Sequence, residues 1–325
     1  MSSSTAIVFG GAGFIGTHLL EYLVGLGKHE RVISADIRDP KRRIAGVEYL
    51  TCDVREPIDA DALGPAAIIY NLAAVHTTPG YEDWEYYWTN VLGATHVCDY
   101  AHAVSCNTVV FTSSISVYGP CEDAKDEHGL LEPNSAYGRS KYQAEEIHRT
   151  WRHAGEGRTL RIARPAVVFG PGEGGNFTRL AGLLKKGRMV YPGRKDTIKA
   201  CGYVGELIRM LDFSLTRNEP EITFNFAYKQ RYTTEEICEA FNGVAGYKAP
   251  LGVIPLWIML MGGLAFEVLG LLGKKTSVNR ARVMKLVKST NIEPHVLPEM
   301  GYEYETDLDE ALRRWQAAEP VGEFV

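Results

Sequence analysis

The stretch "AIVFGGAGFIG", residues 6–16, decides the fold. Ala6-Ile7-Val8-Phe9 is a short apolar run that reads as a buried strand, and residues from Gly13 to Leu26 carry a helical pattern. Between them, Gly10, Gly13 and Gly16 are spaced G-x-x-G-x-x-G. Glycine permits a tight turn there and lets a pyrophosphate approach the backbone, where a helix N-terminus favours negative charge. A merely tight strand–helix turn would use the same residues. The position between the first strand and the first helix points instead to dinucleotide binding, with Phe14 and Ile15 completing the candidate loop.

Working outward, the pattern repeats. Arg31–Asp36, Val47–Leu50, Ala67–Tyr70, Thr108–Phe111 and Leu160–Ala163 read as strands, with helices expected over Glu85–Ala103 and after Ser135. Alternating strands and helices predict an α/β fold, a Rossmann-type doubly wound parallel sheet. The texture changes after Arg164-Pro165. A dinucleotide-binding domain is therefore expected over 1–165, and a smaller C-terminal α/β lobe, mainly for substrate, over 166–325. Some later segments should return to the sheet, Thr223–Phe226 among them.

Asp36 ends the second strand, 20 residues after Gly16, where a carboxylate can accept hydrogen bonds from ribose hydroxyls. It favours NAD over NADP, because a 2′-phosphate would meet like charge; Arg38, two residues on, pulls the other way. Asp53, beside Val54 after the third strand, reads equally as an adenine contact or as a solvated loop residue.

The chemistry is expected at "SAYGRSKYQAEE", residues 135–146. Pro133-Asn134-Ser135 supplies a stop and a cap, so Tyr137 and Lys141 fall one turn apart on one helix face. Tyr191 and Lys195 have the same spacing, but Pro192-Gly193 stands between them and prevents the helix. Ser114 lies in "TSSISVYG" just past a strand's carboxyl end, where open α/β sheets place ligands. Ser114, Tyr137 and Lys141 thus form a candidate set.

Together with Asn71-Leu72-Ala73-Ala74, Asn90-Val91-x-Gly93 and Arg164-Pro165, these motifs resemble the extended short-chain dehydrogenases/reductases, in the nucleotide-sugar epimerase/dehydratase group. The resemblance spans nearly the whole chain. It implies an NAD cofactor contacted by Leu72, Ala73 and Ala74 as well as the glycine loop, and a substrate oxygen positioned by Ser114. It implies Tyr137 as acid/base, Lys141 as the ribose contact that lowers the phenol's pKa, and Asn90 as the family's structural asparagine within the catalytic set. Ile115-Ser116 stands where sugar 4,6-dehydratases carry Asp-Glu and where 3,5-epimerases carry Cys, which leaves oxidation or reduction at one carbinol. "EYYWTN", residues 85–90, tilts the resemblance toward UDP-galactose 4-epimerases over 4-keto reductases. Ile115, Asn176, Lys199, Arg280 and Arg282 are the candidate substrate contacts. The "TSSISVYGP" stretch also resembles 3β-hydroxysteroid-type dehydrogenases, and an inactive nucleotide-sensing scaffold is the reading from another class.

The bulk properties fit a soluble enzyme. The chain has 325 residues, 45% hydrophobic and 23% charged, with net charge −5, which argues against nucleic-acid partners. Six cysteines without close pairs or metal-ligand spacing, and no visible targeting segment, lead to the expectation of a cytoplasmic protein without a metal. Leu251–Leu272 is apolar but interrupted by Pro255, Gly262-Gly263 and Glu267, so a spanning helix is not expected. A core or pocket-lining helix is the first reading, with peripheral membrane contact or a greasy substrate as the alternative. A homodimer is expected through the helices near 85–103 and 136–154, by way of Val91, Ala94, Val97 and Ala101 and of Ala144, Ile147 and Trp151.

Overall fold

A computed structural model describes residues 4–78, 80–262, 280–319 and 322–324. Its strands are β1 Thr5–Phe9, β2 Arg31–Asp36, β3 Val47–Thr51, β4 Ile68–Asn71, β5 Thr108–Thr112, β6 Cys121–Lys125, β7 Thr159–Pro165, β8 Val167–Phe169, β9 Tyr191–Pro192, β10 Cys201–Tyr203, β11 Glu221–Phe226, β12 Val253–Ile254 and β13 Thr290–Ile292. Helices α1 Phe14–Leu26, α2 Ala60–Leu63, α3 Asp83–Tyr87, α4 Gly93–Ala103, α5 Ala136–His153, α6 Asn176–Lys185, α7 Val204–Leu215 and α8 Thr234–Ala245 are interleaved with them. Seven strands form one parallel sheet in the order β11-β7-β5-β4-β1-β2-β3. The order reverses between β1 and β4, so the crevice above their carboxyl ends is where such a sheet takes ligands. Glu221–Phe226 does return to the sheet, beside β7.

Both faces of the sheet are covered. One apolar layer joins Ile7, Phe9 and Val109 to Val97, Ala101, Ala144 and Trp151 of α4 and α5. The other joins Val8, Val32 and Phe224 to Leu19 and Leu23 of α1 and Leu207 and Leu211 of α7. A further cluster, around Phe169, Phe177, Phe241 and Trp315, holds α6, α8 and Leu308–Ala318 together beside β8 and β10. This layering corrects the expected dimer face: Ala94, Val97, Ala101, Ala144 and Trp151 are buried in the chain's own core.

Two further expectations need correction. The helix expected over 85–103 is broken at Trp88–Leu92 by a wide π-type turn. Its cause is Asn90, which turns inward to bind both main-chain groups of Val75, accepting from N–H at 2.9 Å and donating to C=O at 3.1 Å. Such turns occur often at functional sites. The apolar segment is also not core where it is described: no residue of 251–262 is buried.

Beneath the sheet's carboxyl edge lies a buried ion pair. Arg164 of β7 grips Glu145 of α5 with Nε and Nη2, at 2.9 and 2.7 Å. Burial works to raise the Glu145 carboxyl, but the bonds and charge of Arg164 hold it below its ordinary value. Arg164→Leu would leave the buried Glu145 only its ion pair with Arg149, at 3.3 Å, and should lower unfolding free energy by up to about 3–5 kcal/mol in urea titrations. The double variant Arg164→Leu/Glu145→Leu should recover much of that loss.

Candidate active site

The glycine loop is built for close approach. Gly10 adopts φ +80°, and a Cβ there would stand 2.7 Å from the Ala73 nitrogen. At Gly16 a Cβ would stand 2.4 Å from the Gly10 carbonyl oxygen. The turn therefore packs on Leu72-Ala73 from the next strand and on the start of α1, as only glycine allows. Gly13 caps α1 without a side chain, which leaves the first N–H groups of the helix, including those at Phe14 and Ile15, facing the crevice. Asp36 closes the loop from β2, accepting from Ala12 N–H at 3.0 Å and Arg38 N–H at 2.9 Å. The cradle, the open helix end and a carboxylate at the β2 end fit a dinucleotide's pyrophosphate and ribose.

Val54 packs against Gly93, where a Cβ would stand 2.8 Å from its Cγ2. Asp53, left open between adenine contact and loop residue, is held by its neighbour: Arg55 binds it through Nε and Nη2, at 2.9 and 2.6 Å, and lies over the Trp88 ring. That contact holds its carboxyl below the ordinary value.

The Ser–Tyr–Lys set comes together as the spacing implied. Ser135 caps α5, its Oγ accepting from Gly138 N–H at 3.1 Å, so Tyr137 and Lys141 sit on consecutive turns. Ser114 caps the short turn Ile115–Val117, where Ile115 is buried; its hydroxyl donates to Ser116 Oγ at 3.2 Å and lies near enough to the Tyr137 phenol to act on its ionisation. Gly138 makes this approach possible. A Cβ there would stand 2.4 Å from the Ser116 carbonyl oxygen. Tyr191, by contrast, lies in β9, and Lys195 pairs with Glu235 at 2.7 Å, so no helix joins them.

The electrostatics differ from the simplest expectation. Burial pushes the Tyr137 phenol up, with the nearby Ser114 hydroxyl opposing it. Within the chain alone the phenol is therefore not depressed, and lowering it would require positive charge from a bound cofactor. Lys141 is buried, its ammonium 4.6 Å from the Phe111 ring centroid, and burial lowers its pKa to about 7. Its neighbour Glu145, one turn on, is already held by Arg164. Asn90 is placed as a support: besides Val75 it donates to Ser140 Oγ at 2.9 Å, which ties the π-type turn to α5.

Several neighbours of this set had no motif to announce them. The Tyr86 ring lies 6.2 Å from that of Tyr137, and its hydroxyl donates to the Thr77 carbonyl at 2.6 Å. His76 is held below its ordinary pKa by burial and by the charges of Lys141 and Arg38. Phe111 lies under Lys141 on one side and stacks on His148 at 4.1 Å. Only Glu145, four residues after Lys141, could have been found by helix spacing.

The expected substrate contacts are dispersed. Asn176 is exposed at the start of α6, its Oδ1 accepting from Arg179. The N–H groups of Gly175 and Thr178 at that helix end are held by the Glu173 carboxylate, at 2.8 and 3.0 Å. Lys199 donates to the Lys288 carbonyl at 2.6 Å, and burial lowers its pKa to about 8. Arg280 is exposed at the start of Arg280–Val287, and the side chain of Arg282 lies outside the described residues.

This fold and site define an NAD-dependent α/β oxidoreductase or epimerase. The model of the NAD dependent epimerase/dehydratase family matches residues 6–227, and the chain belongs to that family. It is 27% identical, over 96% of its length and 94% of the relative's, to an Escherichia coli O157:H7 N-acetyl-alpha-D-glucosaminyl-diphospho-ditrans,octacis-undecaprenol 4-epimerase. A vaccinia virus 3 beta-hydroxysteroid dehydrogenase/Delta 5-->4-isomerase is 23% identical over 87% of this chain and 88% of its own. Among solved structures, a Thermotoga maritima UDP-glucose 4-epimerase with UDP-glucose superposes with TM-score 0.76 at 19% identity, covering 96% of this chain and 97% of that one.

The state of Lys141 gives a pH test. Its pKa is about 7 in the fold against an ordinary value of 10.5. Between those values the unfolded chain holds a proton that the folded chain has released, so this residue's contribution to stability rises with pH across that window. Below about pH 7 the buried charge is a penalty in full. In urea titrations without cofactor, Lys141→Met should therefore gain most over wild type below pH 7, and the gain should shrink as pH rises toward 10.

Proposed function

We propose that the protein is an NAD-dependent C4 epimerase acting on a hexose carried by a nucleoside diphosphate. The observation that carries this reading is the approach of the Ser114 turn to the start of α5, which sets Ser114 near Tyr137 one helical turn from the buried Lys141, in a sheet whose first strand ends in the glycine cradle. NAD bound there would supply the hydride acceptor and donor. Tyr137 Oη takes the proton from the substrate hydroxyl and returns it, and Ser114 Oγ holds the same oxygen in line. Lys141 binds the ribose hydroxyls, and positive charge added by the oxidised cofactor would favour the ionised phenol. Ile115 and Ser116 supply no second acid–base pair, which supports chemistry at one carbon over elimination. Residues 166–325 serve mainly to hold the substrate, and Asn176, Lys199, Arg280 and Arg282 are the residues to test as its diphosphate contacts.

A second reading concerns the carrier. The Escherichia coli relative acts on a sugar diphosphate joined to undecaprenol, and the unburied apolar residues 251–262 suit such a lipid carrier. Both readings share the same reacting carbon and the same residues. Incubation with UDP-sugars and with undecaprenyl-diphospho-sugars, read by the ratio of C4 epimers, decides between carriers. Tyr137→Phe should keep the fold and NAD binding while losing roughly 10²–10⁴-fold in turnover. Tyr191→Phe should lose nothing comparable. Near-normal turnover of Tyr137→Phe would overturn the mechanism.

The homodimer is proposed on a corrected face. Trp84 and Leu92 are exposed on the outer side of the segment from α3 to the π-type turn, and Tyr142 is exposed on α5. Their pairing with a second copy should give a dimer at micromolar concentration by sedimentation, and Trp84→Glu/Leu92→Glu should give the monomer.

A further inference from the structure

The residues after β12 form an apolar ridge on the surface. Residues 256–262 are helical, and all six from Leu256 to Met261 are apolar, so no side of this turn is polar. A helix apolar all round belongs in apolar surroundings. The described chain does not supply them: Leu251 is 74% exposed, Trp257 67% and Met261 61%, with Val253 and Ile258 also exposed. Leu286, on Arg280–Val287, adds a further exposed apolar side chain.

The stretch that carries the ridge is cationic in sequence. Between Leu251 and Ile292 the sequence holds Lys274, Lys275, Arg280, Arg282, Lys285 and Lys288 against the single carboxylate of Glu267, in a chain of net charge −5. Apolar and tryptophan side chains beside a run of cations match a bilayer interface with anionic headgroups. Among the described residues no helix is long and apolar enough to cross a membrane.

We infer that this ridge docks the protein onto an anionic lipid bilayer. The docking element is tied to the site: Arg280–Val287 leads into β13, which pairs with β6, and Ile292 packs with Ile115, Val117 and Tyr118 of the Ser114 turn. β12 in turn pairs with β9. A bilayer seated on the ridge thus meets elements that pair with β9 and with β6, the strand that follows the Ser114 turn.

Flotation with vesicles tests this without substrate, and so independently of the epimerase reading. The full chain should float with vesicles containing phosphatidylglycerol, and about tenfold less with pure phosphatidylcholine or in high salt. Trp257→Glu/Met261→Glu should abolish flotation, and Trp257→Phe should retain it, with thermal stability and NAD binding unchanged in both. Equal flotation of the double-Glu variant would overturn the proposal. So would a change from dimer to monomer, or a loss of thermal stability, with vesicle binding intact; those results would place a second copy or the chain's own residues on the ridge.

Discussion

The buried contact between Arg164 and Glu145 is the constraint on which the site depends. Arg164 also donates from Nη1 to the Tyr118 hydroxyl at 2.7 Å, and Tyr118 donates to Asn225 Oδ1 at 2.9 Å. One guanidinium therefore fixes α5 through Glu145 and the Ser114 turn through Tyr118, while Asn225 ties both to β11. Asn225 carries the link onward, its amide donating to the Glu293 carbonyl and its N–H bound by Glu127. Tyr137 and Ser114 lie on the two elements so held. Because a half-satisfied buried network is costly, its members accept few alternative arrangements.

Close approach is the second theme. Three of the contacts that shape the site exist because a side chain is missing: Gly10 against Ala73, Gly16 against Gly10, and Gly138 against the Ser116 carbonyl. The first two draw the loop's backbone into the close packing that a phosphate's approach would require. The third lets the Ser114 turn reach α5, which makes Gly138 part of the site although it carries no chemistry. Around this scaffold the polar groups are poised against burial. Lys141 stands over an aromatic face with its pKa near neutrality, and Tyr137 is pushed up, so both groups respond strongly to a charged molecule entering beside them.

Much of this was legible in the sequence where local pattern and tertiary need agree. The β1–Gly–α1 unit, the Ser135 cap and the Tyr137–Lys141 spacing are local, and each formed as read. The contacts that span the chain were not legible. Nothing at Arg164 announces the Tyr118 hydroxyl as its partner, and nothing at Tyr118 announces Asn225. The apolar segment misled for a related reason. Hydrophobic residues are read as core by default, yet exposure depends on what the rest of the chain brings against them.

The wide turn at Trp88–Leu92 acts as a phase corrector. Residues four apart on a regular α-helix drift by about 40° per step, because a turn holds 3.6 residues. Tyr86, Asn90 and Ala94 are spaced by four and all buried, so a regular helix would carry them progressively around its axis. A turn that takes up more residues cancels the drift and keeps the three aligned. The length of this segment is thereby fixed as tightly as its composition: loss of one residue would rotate everything from Gly93 onward by about 100° and carry Ala94, Val97 and Ala101 off the sheet.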